Sequence, residues 1–244
     1  MISKKVNEMS DLNSKIEKII KRNVSNDYLI GFSYLEGLVP KKFKHLNYGI
    51  TIGLKLDDKI IDGIVNGPTN EYVAHYNEVN TALNNIAKDV RRILKRQGNK
   101  AEIIKATIKT SEEKKYPNYS KTLSVEFPHK TAATRSGLGW IGKTALLVSP
   151  KFGPRIRLVT ILTNKKLIIG QPVKKSLCGT CDICVKKCPA QAANGKNWSV
   201  GMQREEFFDA FECRSTAKEL GMQRTGRDDC ICGICISVCP LGKK

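Results

Sequence analysis

All nine cysteines of this 244-residue chain lie beyond residue 177, at positions 178, 181, 184, 188, 213, 230, 232, 235 and 239. The N-terminal stretch is interrupted by charge throughout and has no apolar core or small-residue cleavage site, so no secretory signal is expected there. No apolar run approaches the roughly 18 residues of a membrane span. A cytoplasmic chain without a membrane partner is therefore expected, and in that compartment thiols stay reduced and serve metals or catalysis rather than disulfides. The expectation is a chain in two parts: a cysteine-free region over residues 1–170 and a thiol-rich region over residues 171–244. Charge divides in the same way. Of a formal +19, residues 178–244 hold 10 basic and 8 acidic side chains, which leaves +17 on the residues before them.

The run Cys178-Gly-Thr-Cys181-Asp-Ile-Cys184-Val-Lys-Lys-Cys188-Pro189 has the C-x2-C-x2-C-x3-C-P spacing of bacterial ferredoxins with two 4Fe-4S clusters. Two-residue gaps let three thiolates of one tight loop reach three iron corners of a cube, while the fourth cysteine turns away to the other cluster. A second half is thus required. Cys232-Gly-Ile-Cys235-Ile-Ser-Val-Cys239-Pro240 repeats the last three cysteines of the pattern. The crossover rule groups Cys178, Cys181, Cys184 and Cys239 on one cluster, and Cys188, Cys232 and Cys235 with one more cysteine on the other. That remaining ligand is Cys213 or Cys230. Cys230 stands one residue from Cys232, tighter than the usual gap, which favours Cys213. Structural zinc also uses paired C-x-x-C units, but rarely a third cysteine at x2 and a fourth at x3 before proline.

The cysteine-free part alternates helical and strand-like segments. Leu12, Ile16, Ile19 and Ile20 predict a helix over residues 12–22, and residues 29–35 and 48–56 predict strands. From Glu71 to Gln97 apolar residues recur with a helical period, ending at Gly98. The opposite face of that helix bears Lys88, Arg91, Arg92, Lys95 and Arg96, a solvated face or a grip for the phosphates of nucleic acid. Residues 101–109 read as a strand and residues 111–122 as a loop. Residues 145–149 and 155–163 read as two strands joined by the turn 150–154. The fold class expected is α/β or α+β, followed by a ferredoxin-like domain with two clusters.

Gly137-Leu-Gly-Trp-Ile-Gly142-Lys143-Thr144 satisfies the phosphate-loop pattern G-x-x-x-x-G-K-[ST]. That loop needs a strand before it and a helix after it, so that the helix N-terminus meets the phosphates. Here the preceding residues 128–135 look helical and the following residues 145–149 look like a strand, so a nucleotide loop is not expected. The glycines instead permit close approach, either of a ligand or of another segment packed against the cluster domain.

The stretch Arg135-Ser-Gly-Leu-Gly-Trp-Ile-Gly-Lys143, followed by Cys178-x2-Cys-x2-Cys-x3-Cys188-Pro, a separate cysteine and a terminal C-x2-C-x3-C-P, resembles the epoxyqueuosine reductase family over roughly residues 45–242. The resemblance implies that the lone intermediate cysteine, here Cys213, is a ligand. It also implies a base-off cobalamin between the N-terminal domain and the cluster domain, a layout shared with reductive dehalogenases. On that basis Gly137, Leu138, Gly139, Trp140, Gly142 and Lys143 are the candidate cofactor-binding residues. The chain departs from the family in ending just after Pro240, without the helical extension of many members. It also lacks the acidic proton donor upstream of the glycine motif. Ser124-Val-Glu-Phe-Pro-His-Lys130 stands in that region, so Glu126 and His129 are the candidate catalytic substitutes, His129 being also a candidate cobalt ligand. Tyr116 and Tyr119 are further candidate proton donors. Epoxyqueuosine is not the expected substrate.

The leading reading is a cobalamin-dependent iron–sulfur reductase, fed by a low-potential donor of ferredoxin or flavodoxin type and acting on a small-molecule substrate. A second is a non-catalytic electron carrier that delivers to a partner such as a corrinoid protein. A third makes the +17 region a tRNA-binding surface, whose affinity would fall steeply with salt.

Overall fold

The computed structural model describes residues 2–25, 27–108, 110–116 and 118–243. The predicted strands assemble into a four-stranded sheet that is antiparallel throughout. β1 (Tyr28–Tyr34) pairs with β2 (Tyr48–Lys55), β2 with β6 (Ile156–Thr163), and β6 with β3 (Ala101–Ile104). The register sets Ile50 opposite Ile161 and Ile52 opposite Val159, so that one apolar row spans the two central strands. That row is covered by α3 (Asn70–Arg96), whose Val79, Leu83, Ile86, Val90 and Leu94 are buried against it. Thr69 caps α3 by accepting the Tyr72 backbone N–H at 3.1 Å. At its far end Gly98 turns the chain at φ +76°. The basic face of α3 is tied down locally: Arg92 pairs with Asp89 at 2.7 Å and Lys88 bonds Asn85 at 3.2 Å.

α1 (Ile2–Asn23) buries Leu12, Ile16, Ile19 and Ile20 in the same core, so the predicted helix exists and starts about ten residues earlier than its apolar spacing alone indicates. α2 (Asp58–Asp62) is capped by Asp57, which accepts from the Lys59 and Ile60 backbone N–H groups. The other face of the sheet receives α5 (His129–Arg135), whose Ala132 and Ala133 are fully buried because small side chains let the helix come close.

Three local expectations change. β3 stops at Ile104, because the Ala106 backbone N–H leaves the ladder to bond Asn84 Oδ1 at 3.0 Å and its carbonyl accepts from Arg157. Lys109, the last residue of the predicted strand, lies outside the described residues. The expected loop over residues 111–122 contains a 3-10 turn over Thr110–Lys115 and a one-turn α4 (Tyr119–Thr122), with Pro117 outside the described residues. The two strands expected on either side of the turn 150–154 do not pair with each other. β5 (Leu147–Val148) pairs instead with β4 (Trp140–Ile141) in a small separate hairpin. Ser149 and Gly153 bond each other across the turn, and the chain then re-enters the large sheet as β6.

Beyond β6 regular structure is sparse: α6 (Ile183–Lys186), α7 (Ala210–Thr225) and α8 (Ile234–Ser237). α7 begins at Asp209, whose carboxylate accepts from the Phe211 and Glu212 backbone N–H groups, and ends at left-handed Gly226. α8 reaches the main core through Ile236. Arg155, fully buried, bonds Asp58 at 3.1 Å and Asp62 at 2.5 Å and lies 3.5 Å from the Ser237 carbonyl, linking α2 to α8. Among the described residues no helix is long and apolar enough to cross a membrane.

Candidate metal centre and the cavity beside it

The nine thiols line two neighbouring cavities. Cys178, Cys181, Cys184 and Cys239 line one of about 210 Å³, and Cys188, Cys213, Cys230 and Cys232 line another of about 290 Å³, with Cys235 on the wall of both. Local folding explains the placement. The 178–184 loop and the first turn of α6 present three thiols together, Cys213 stands on the first turn of α7, and α8 spaces Cys235 from Cys239. The thiols act on each other. Burial pushes Cys184 up to about 11, reinforced by Cys239, Cys178 and Cys181. Burial also pushes Cys213 up to about 11, reinforced by Cys188, Cys232 and Cys230 in that order. Cys230 is raised by burial too, and the charged groups acting on it are Arg214, Lys218, Glu113 and Asp228, although it shares the cavity of Cys213. Crowded thiols of raised pKa release their protons when a metal takes the freed lone pairs. A tetrahedral zinc would draw four sulfurs to about 2.3 Å from one point. Here the sulfurs line two cavities.

The glycine motif stands against these thiols. Gly137 has φ +78°, and a Cβ there would meet the Gln171 carbonyl at 2.7 Å; a Cβ at Gly139 would come within 2.1 Å of the Val148 carbonyl. Both glycines are thus spent on packing against the chain's own backbone, with Leu138 in the small core of Ala133, Leu147 and Phe152. The neighbours expected of a phosphate loop are indeed absent, since α5 precedes the motif and β5 follows it. The motif's later residues face the first thiol cavity. Gly142, Lys143 and Thr144 line it, and Trp140 Nε1 donates to Cys178 Sγ at 3.2 Å.

The opposite face of the β4–β5 hairpin borders a third and larger cavity, about 470 Å³, closed by Ile141, Ala145, Leu146 and Leu147 on one side and by Trp198, Met202 and Phe207 on another. Lys130, Arg157, Arg204 and Ile236 line both this cavity and the second thiol cavity, so the two adjoin. Lys130 Nζ donates to the Ala145 carbonyl at 2.5 Å, and burial, then Arg204, lowers its pKa to about 8. Arg157 donates to Asn80 Oδ1 at 3.0 Å and lies 4.2 Å over the Tyr76 ring. Arg204 pairs with Glu205 at 2.6 Å.

The sequence-derived candidates fall unevenly around this cavity. His129 lines it, but Nδ1 lies 2.9 Å from Thr160 Oγ1 and Nε2 lies 2.9 Å from the Lys105 carbonyl, while burial lowers its pKa to about 4. It is a neutral ring with both nitrogens engaged, the Nε2–H donating to the carbonyl. Glu126 is exposed, pairs with Lys42 and is not on the cavity wall. Tyr119 lines the cavity and accepts from Arg214 at 3.4 Å. Reading by residue type missed Lys130 and Arg157. The usable signal was a charge inside an apolar element: Arg157 is the only charged residue of the strand IRLVTILT.

Residues 177–242 match the family of 4Fe-4S double cluster binding domains, so the chain follows its mixed helix-and-strand region with a double-cluster region. Its relatives are epoxyqueuosine reductases and reductive dehalogenases. The chain is 36% identical over 111 residues to the epoxyqueuosine reductase of Synechococcus sp. (strain RCC307), covering 46% of this chain and 33% of that one. It is 29% identical over 125 residues to the tetrachloroethene reductive dehalogenase of Sulfurospirillum multivorans, covering 46% of this chain and 23% of that one. The matched stretch is thus a third or less of each of these two relatives. The fold is that of a solved reductive dehalogenase described with a B12-dependent mechanism, with TM-score 0.69 and 16% identity over 94% of this chain and 31% of that one.

Proposed function

We propose that the chain is a cobalamin-dependent reductase in which two 4Fe-4S clusters relay electrons to a corrinoid, with an α/β domain over residues 1–170 and the cluster domain over residues 171–244. Cys178, Cys181, Cys184 and Cys239 hold one cluster; Cys188, Cys213, Cys232 and Cys235 hold the other, and Cys230 is a spare thiol. Support for Cys213 comes from its thiol neighbours, set against the charged surroundings of Cys230.

The observation that supports the corrinoid is the β4–β5 hairpin, which has thiols on one face and the 470 Å³ cavity on the other. That cavity suits part of an amide-rich, phosphate-bearing ligand: Ile141, Leu146 and Trp198 offer apolar wall, and Lys130, Arg157 and Arg204 supply cations. A bound corrinoid would supply a reducible cobalt of strong nucleophilicity. Lys130 Nζ, with a pKa near 8, holds a proton at the cavity wall that it can release near neutral pH, the role for which Glu126 is placed too far outside. The substrate is a small molecule other than epoxyqueuosine, and the donor is of ferredoxin or flavodoxin type.

Anaerobic reconstitution with iron, sulfide and cobalamin tests this. The expected product holds about eight iron atoms per chain together with stoichiometric cobalt. Iron at that level without retained cobalt would remove the corrinoid and leave the second reading, an electron carrier serving a partner corrinoid protein. The engaged nitrogens of His129 and the outward placement of Glu126 favour that alternative.

A further inference from the structure

One contact of the glycine motif serves neither the corrinoid cavity nor the packing of the hairpin. The Trp140 indole, 5% exposed, donates its single N–H to Cys178 Sγ at 3.2 Å. Three residues on, Lys143 is also 5% exposed and lines the cavity of Cys178, Cys181, Cys184 and Cys239, and no described carboxylate pairs with it. A lysine at the cavity wall without a carboxylate partner is attracted to any negative charge that arrives in the cavity. A 4Fe-4S cluster with four thiolates brings about −2 when oxidised and gains one further negative charge on reduction.

We propose that the Gly137–Lys143 turn sets a reduction potential: Trp140 and Lys143 raise that of the cluster held by Cys178, Cys181, Cys184 and Cys239. The step is a one-electron reduction by an external donor, with no bond made or broken. Both groups interact more strongly with the reduced, more negative cluster than with the oxidised one, and so favour the added electron. The packing of Gly137 and Gly139 against backbone holds the turn close enough for the indole to reach Cys178. Trp140 and Lys143 are positioning residues that tune the cluster through its ligand and its cavity. The proposal rests on the ligand assignment above and is independent of the corrinoid.

Potentiometric titration of the reconstituted full chain, followed by electron paramagnetic resonance, reads the two clusters separately. Trp140→Phe removes the donor and keeps the ring. It is expected to make one cluster about tenfold harder to reduce, about 59 mV for a one-electron couple, with the other cluster unmoved. Lys143→Met is expected to lower the same potential by more, and Lys143→Arg to restore it. The lysine pair gives the same reading should Trp140→Phe fail to hold its cluster. Variants that keep both clusters at wild-type potentials, or that shift both equally, would overturn the proposal. A wild-type protein with fewer than two 4Fe-4S signals would overturn the ligand assignment, and this inference with it.

Discussion

The sheet region and the thiol region solve the problem of stability in opposite ways. In the first, Ile50, Ile52, Leu83, Ile86, Val90 and Ile161 are fully buried in one continuous core beneath long regular elements. In the second, Leu177 is 61% exposed, Met222 55% and Phe211 46%, and the helices are short apart from α7. Its apolar core is small, built on Trp198 and Phe207, and its thiols are half-buried or exposed. The contrast teaches that the first region has apolar burial enough to fold on, whereas the second, with little, is where a bound metal would add most to stability.

The largest expected effect comes from withdrawing that metal. Without iron and sulfide, residues 178–240 should lose hydrogen-exchange protection while β2, β6 and α3 keep theirs. Equal protection in both regions with and without clusters would erase the contrast. Within the thiol region, Cys213→Ala should lose one cluster and Cys230→Ala should keep both, as read by iron content.

The link between the regions should be next in size. Asp58→Asn with Asp62→Asn would leave the fully buried Arg155 guanidinium without a counter-ion, at about 3–5 kcal/mol in denaturant unfolding. Leu83→Ala in the sheet core should cost about 2–5 kcal/mol by the same measurement, with the iron content unchanged.

A smaller effect should follow pH. His129 has a folded pKa near 4 against an ordinary 6.5, so between these values the unfolded chain binds the extra proton and the folded one does not. Stability is then full above about pH 6.5 and falls as pH drops toward 4, by at most about 3 kcal/mol. His129→Gln should flatten that slope in thermal melts taken across the window; an unchanged slope would remove His129 from the account.

How much of this was legible depended on whether a feature is local. The spacing of Val79, Leu83, Ile86 and Val90 announces α3 within one residue of its limits, because helical period is a local property. The pairing of β5 with β4 was not legible. The residues on both sides of the turn 150–154 are strand-like, and only the competition for neighbours in space sends β6 into the large sheet and β5 to Trp140. Glu126 and His129 were legible as residue types, but the outward turn of the first and the double engagement of the second depend on Lys42, Lys105 and Thr160, which are distant in sequence.

The sequence by itself determined that a double iron–sulfur segment follows a mixed helix-and-strand region, since cysteine spacing and apolar period are both written along the chain. Only the tertiary structure decided that the glycine motif is a partition, with thiols on one face and a cationic cavity on the other. It also decided that Lys130 and Arg157 line that cavity beside His129, while Glu126 does not. The physical reason is burial: the same lysine or arginine is a solvated surface charge or a functional group according to what packs around it, and packing is settled by the fold as a whole.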